Sequence, residues 1–138
     1  VDRDGDGYGA QGDPSCVSLT TDCIDTNAGF WATPGEVANL RFTSATDLAW
    51  DPPAAPGATL STLVYDTLRS MAASDFLSGS TVCLESDNGP DTLAADAAVP
   101  SVGQVFFYLT RAQDACPAGQ GSLGTTSSGT PRQGRSCP

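Results

Sequence analysis

The chain contains no histidine and no lysine. Without histidine there is no imidazole for a nucleophile's base, for a metal ligand or for proton transfer near neutral pH. Without lysine there is no amine base or Schiff-base former. The six cations are all arginine, at positions 3, 41, 69, 111, 132 and 135, and they form no cluster. A formal net charge of −10 argues against nucleic acid or an anionic membrane surface as a partner. No apolar run is long enough to cross a bilayer, so membrane insertion is not expected. There is no Asn-X-Ser/Thr acceptor and no serine-centred nucleophile elbow. Paired carboxylates for glycoside cleavage are not excluded by the composition. The acids, however, fall in metal-type or turn-type spacing, so no enzyme is expected.

Glutamate is almost missing as well. Glu36 and Glu85 are the only two among 16 acids, and the rest are aspartate, which suits loops and metal sites better than helices. Residues 2–13 read Asp-Arg-Asp-Gly-Asp-Gly-Tyr-Gly-Ala-Gln-Gly-Asp. Counting Asp2 as the first position, carboxylates stand at the first, third, fifth and twelfth, and Gly7 at the sixth. That spacing is what an oxygen-ligand Ca2+ loop needs. Asp2, Asp4, Asp6 and the Tyr8 carbonyl are the expected ligands, with Asp13 closing the loop in place of the usual glutamate. Asp22, Asp25 and Asn27 follow. They either complete the same ion's shell, hold a second ion, or serve as turn residues. Glu85, Asp87 and Asp91 read as plain turn material rather than as a further site.

Five cysteines stand at 16, 23, 83, 116 and 137. Together with a calcium-type loop they point to an oxidising, extracellular or cell-surface setting. Cys16 and Cys23 bracket a short acidic loop, and Cys116 and Cys137 bracket the Gly/Ser-rich tail, so these pairings are expected. Cys83 is then left as a buried thiol or as a bond to a neighbouring chain. Val1 stands one residue before the loop, which suggests a mature product or a piece of something longer.

Two parts are expected along the chain. Residues 1–35 carry too little apolar surface to fold on hydrophobicity alone, and metal and disulfide would have to hold them. Residues 36–138 read as all-β. Strands are expected over Val37–Phe42, around Leu48 and Trp50, over Thr62–Thr67, over Thr81–Leu84, and most strongly over Gln104–Ala112. A helical turn is expected over Leu68–Ala73, because Leu60, Leu63, Val64, Leu68 and Met71 recur at helical spacing. The last strand is apolar on both faces, as in a central strand covered twice or one whose outer face is covered by a partner. Trp50 is expected in the core. Many short strands separated by Gly/Pro turns describe a β-sandwich.

The segment Asp-Arg-Asp-Gly-Asp-Gly-Tyr-Gly, with Thr-Asp-Cys-Ile-Asp-Thr-Asn and Pro-Gly-Glu-Val after it, resembles the thrombospondin type 3-like, Asp-rich calcium repeats of bacterial surface and secreted proteins. The resemblance implies calcium ligands at Asp2, Asp4, Asp6 and Tyr8. It also implies that Asp22 and Asp25 share the site, which puts them in competition with Asp13. The remainder resembles a fibronectin type III-like domain. Asn39-Leu40, Leu48-Ala49-Trp50-Asp51-Pro52-Pro53 and Phe107-Tyr108-Leu109-Thr110-Arg111-Ala112 match its first, second and sixth strands.

The function expected is a non-enzymatic extracellular structural module, stiffened by calcium and built into a surface or filamentous assembly. Its partners would be copies of itself or other surface proteins. A subunit whose end docks on the next copy makes a contact that does not close, and such contacts build filaments; strand addition at a sandwich edge is one route. The alternative is an adhesive or carbohydrate-binding module of a secreted protein. It requires an exposed aromatic platform, for which Phe30, Trp31 and Tyr65 are the candidates, although Phe30-Trp31 fits better as a lid over the junction of the two parts.

Overall fold

Among the described residues six strands are laid down in two groups, and the grouping crosses between sheets. The computed structural model describes residues 2–9, 22–86 and 88–138. The strands are β1 (Ala38–Phe42), β2 (Asp47–Asp51), β3 (Val64–Ser70), β4 (Val82–Ser86), β5 (Leu93–Ala95) and β6 (Phe107–Gln113). One antiparallel sheet has the order β1-β2-β5 and the other β4-β3-β6. The protein is thus all-β, a sandwich of two three-stranded sheets.

The inner faces meet around Leu48 and Trp50 from β2, Tyr65 from β3, Ala94 from β5 and Ala112 from β6, all buried. Trp50 meets Tyr65 edge to face across the interface, with ring centroids 5.4 Å apart. Phe42 meets Tyr108 in the same way at 5.3 Å, near the other end of the strands. The alternation of apolar residues predicted β1 and β2 of the first sheet, and the Asp-Pro-Pro sequence ends β2 as expected, since proline cannot donate to the ladder.

A second apolar cluster covers the outer face of the other sheet. Leu68 from β3 packs with Phe76, Leu123 and Cys137, and with Cys83, Phe107 and Leu109. Here the C-terminal tail lies across the sheet as a third layer. At Gly134 the tail lies close on the sheet: a β-carbon there would stand 2.7 Å from the Leu68 side chain. This layer explains the two-sided apolarity of β6. The strand is covered twice, as read, but it is an edge strand and not the central one, because β3 lies between it and β4.

Other expectations are corrected. No helical turn follows Thr67. β3 continues through Leu68, Arg69 and Ser70, which pair with Leu109, Tyr108 and Phe107. The helical spacing of the leucines arose because Leu63 and Tyr65 face the first cluster while Leu68 faces the second, and the turn that does exist is a short 3-10 segment over Leu60–Thr62. β5 was not read from the sequence. Its residues Leu-Ala-Ala have weak strand propensity, and only pairing with Asp47–Ala49 makes them a strand.

The cysteine pairing is also different. Cys23 bonds Cys116, and Cys83 bonds Cys137. Neither Cys16–Cys23 nor Cys116–Cys137 forms, and Cys83 is neither a free thiol nor an intermolecular link; Cys16 lies outside the described residues. Proximity in sequence misled here: the fold brings the tail back over β4, setting Cys137 beside Cys83 with Cα atoms 5.8 Å apart.

Candidate metal site

The Asp-rich loop folds around its own side chains. Asp2 accepts hydrogen bonds from the N–H of Gly5 at 2.6 Å and of Gly7 at 3.0 Å. Both glycines have positive φ, 81° and 91°, a conformation other residues adopt at a cost. Asp4 accepts from the N–H of Asp6 at 3.3 Å, and Asp6 from that of Tyr8 at 2.8 Å. These bonds turn the carboxylates of Asp2, Asp4 and Asp6 inward, until one oxygen from each lies within 4.8 Å of the others.

Asp22 comes near enough from the other arm of the segment for its charge to act on Asp6. Its N–H donates to the Gly9 carbonyl at 3.3 Å, and its carboxylate accepts from Ile24 N–H at 2.9 Å. In each of Asp4, Asp6 and Asp22 one carboxylate oxygen is buried with no hydrogen-bond partner. Burial pushes the Asp6 carboxyl above its usual range, and the nearby charges of Asp4, Asp22 and Asp2 push it further, against the Tyr8 N–H bond that lowers it. Unpartnered buried carboxylate oxygens that repel one another are costly. A hard divalent cation would answer both problems, and the donor set is all oxygen, as Ca2+ prefers. The residues therefore fit the ion.

Asp25 is engaged by Arg3, accepting its backbone N–H at 3.3 Å and lying 3.5 Å from its guanidinium. Asp13 lies outside the described residues, as does Asp87. Tyr8 does more than sequence reading foresaw: its ring stacks on Trp31 with centroids 5.5 Å apart and planes 15° from parallel. Trp31 and Ala32 donate to the Gly57 carbonyl, both at 2.8 Å, and Phe30 bridges to Ala58. Gly57 has φ 68°, and a β-carbon there would collide with the Ala32 carbonyl. Phe30 thus packs against the core cluster while Trp31 carries the Tyr8 ring. Tyr65 is no platform, being 1 % exposed in the core.

A polar node that sequence reading missed closes the opposite end of the sandwich. Asp96, 6 % exposed, accepts from Arg69 at 2.6 Å, from the Tyr108 hydroxyl at 2.9 Å and from Ala98 N–H at 2.9 Å. Burial alone would raise the Asp96 carboxyl, but these donors together hold it below the usual range. Burial, and then the Asp96 carboxylate, push the Tyr108 hydroxyl up to about 12. The three residues lie 27 and 12 positions apart in sequence, so no local motif announces them.

Among the described residues no helix is long and apolar enough to cross a membrane. Compared with known proteins, the chain matches no family model and no curated sequence.

Proposed function

We propose that the chain is a non-enzymatic extracellular structural module in which Ca2+ stiffens the N-terminal segment, and that it serves as a subunit of a surface or filamentous assembly. The observation that carries this reading is the convergence of Asp2, Asp4 and Asp6, together with the buried unpartnered oxygens of Asp4, Asp6 and Asp22. The ion would be held by these four carboxylates and the Tyr8 carbonyl, all of them donors that the thrombospondin type 3-like resemblance implies, with Asp22 rather than Asp13 closing the shell. Its chemistry here is charge neutralisation and cross-linking of two chain segments that bury little apolar surface. Two disulfides support an oxidising compartment. The crossing of strands between the two sheets supports the fibronectin type III-like reading of the rest.

The test is calcium titration followed by calorimetry and limited proteolysis, with and without chelator. Stoichiometric binding is expected, lost in Asp4→Asn and Asp6→Asn. Chelation is expected to open the loop ahead of Cys23, while the sandwich, to which Cys23 is tied through Cys116, stays resistant. Equal resistance of the loop with and without chelator would overturn the metal's structural role.

A further inference from the structure

An exposed aromatic platform is present, on residues other than Phe30, Trp31 and Tyr65. Phe42 ends β1, Asp96 follows β5, and Phe106 and Tyr108 stand at the start of β6. The Asp96 N–H donates to the Thr46 carbonyl at 2.7 Å, which ties the loop after β5 to the turn between β1 and β2. Together with Pro100 and Val105, these residues line a cavity of about 300 Å³ that opens to solvent.

The walls of the cavity are rings. Phe42 and Phe106 both stand nearly perpendicular to Tyr108, with centroids 5.3 and 6.4 Å away. Phe42 is 50 % exposed and Val105 58 %, so the mouth leaves apolar surface in water. The floor is polar, because Asp96 lines the cavity and yet is 6 % exposed. Its carboxylate accepts from Arg69, from the Tyr108 hydroxyl and from Ala98 N–H. An ionised carboxylate offers about four acceptor positions, so one is left over. The Tyr108 hydroxyl gives its proton to Asp96 and keeps its lone pairs as further acceptors. Rings around a few convergent polar groups are the usual make-up of a small-ligand site.

Charge narrows the ligand. Arg69 pairs with Asp96 at 2.6 Å, and its guanidinium lies 4.4 Å from the Phe106 centroid. It neutralises the floor and covers one face of that ring. Asp47, at the start of β2, accepts from the Ser44 hydroxyl and does not line the cavity. A cationic ligand therefore finds a carboxylate already paired and a guanidinium beside it, whereas an anionic ligand meets Asp96. A wholly apolar ligand would cover the spare acceptors without giving them a partner, which is costly. What fits is an uncharged molecule with hydrogen-bond donors on its rim and an apolar face. A neutral pyranose has that form: hydroxyl groups around the ring, and a face of C–H bonds suited to the negative face of an aromatic side chain.

We propose that the cavity between Phe42, Phe106 and Tyr108 binds a neutral hexopyranose, its C–H face on the Phe42 ring and its hydroxyl groups donating to Asp96 and Tyr108. The site gives the module an adhesive function besides the structural one, and it does not depend on the calcium reading.

The experiment titrates the whole chain, with calcium present, with the methyl glycosides of glucose, galactose, mannose and N-acetylglucosamine up to about 50 mM. Amide chemical shifts and saturation transfer to the sugar protons are the readouts, and tetramethylammonium and methyl glucuronide are the charged controls. At least one glycoside is expected to bind with a Kd of about 1–10 mM, to shift the amides of Phe42, Asp96, Phe106 and Tyr108, and to take saturation on its ring C–H protons. Phe42→Ala is expected to weaken that binding by more than about tenfold, and Phe42→Trp, which restores a ring, to keep it. Leu60→Ala, exposed elsewhere, is expected to bind as wild type does. Amide spectra unchanged away from the cavity verify the fold of each variant.

If no glycoside shifts these amides, or if Phe42→Ala binds as wild type does, the site is rejected. If tetramethylammonium or the glucuronide binds there and no neutral glycoside does, the cavity selects a charge and the saccharide assignment is overturned. The calcium titration is read separately, so failure of this site and failure of the metal site are distinct results.

Discussion

Arg111 on β6 donates two hydrogen bonds to a single oxygen of Asp66 on β3, from Nε at 3.0 Å and from Nη2 at 2.7 Å. Both side chains are buried, at 4 % and 0 % exposure. The Cys137 N–H reaches the same oxygen at 3.3 Å, and Arg111 also donates to the Arg135 carbonyl at 2.8 Å. One ion pair therefore fixes two strands and the tail that lies over them.

Removing the cation should be far worse than removing the pair. Arg111→Met leaves the Asp66 charge buried without its guanidinium, and a loss of about 3–5 kcal/mol is expected. The double variant Asp66→Leu with Arg111→Met should recover most of it. Urea unfolding of the wild type, single and double variants checks this; equal losses in single and double variants would mean that packing and not charge dominates.

The tail layer should depend on Cys83–Cys137. Non-reducing peptide mapping should recover Cys23–Cys116 and Cys83–Cys137. Replacing Cys83 and Cys137 by alanine is expected to cost roughly 2–4 kcal/mol, and to admit trypsin at Arg132 and Arg135. Recovery of a Cys116–Cys137 peptide would contradict the layered fold.

Tyr108 should titrate late and take stability with it. Its folded pKa, about 12, lies above that of an unfolded tyrosine. Its stabilisation is thus complete below about pH 10 and is lost as pH rises towards about 12. Ultraviolet titration of phenolate, with melting temperatures taken alongside, checks this. Tyr108→Phe, which removes the bond to Asp96, should flatten the alkaline loss and lower stability at pH 7 by about 0.5–1.5 kcal/mol.

Glu85 should be better replaced by its neutral isostere. It is 6 % exposed, and one carboxyl oxygen is buried without a partner. Burial first, and Asp91 second, raise its pKa. A carboxyl raised in this way stabilises the fold at low pH and loses that contribution as pH rises through its folded pKa. Glu85→Gln should therefore raise the melting temperature at pH 7, with the gain shrinking in acid. A gain that persisted unchanged in acid would assign the effect to something other than ionisation.

The inner core of the sandwich was legible in the sequence because Leu48, Ala49 and Trp50 sit in a strand bounded by turn residues, and strand alternation is a local signal. The acidic loop was legible for the same reason: its glycines and aspartates act on their own neighbours within five positions. β3 was half legible. It is covered on both faces, and burial on two sides erases the alternation that marks a strand.

Residue order alone supplied the chemistry at hand: acid without lysine or histidine, oxygen donors gathered in one loop, five cysteines, and apolar residues enough for short strands. Which groups meet is a property of the packed fold. Cys23 with Cys116, Cys83 with Cys137, Arg111 with Asp66 and Tyr108 with Asp96 are separated by 93, 54, 45 and 12 positions. The pairings follow from the return of the tail across the outer sheet and from the alignment of the two sheets. Both are set by burying surface that no single segment can bury alone.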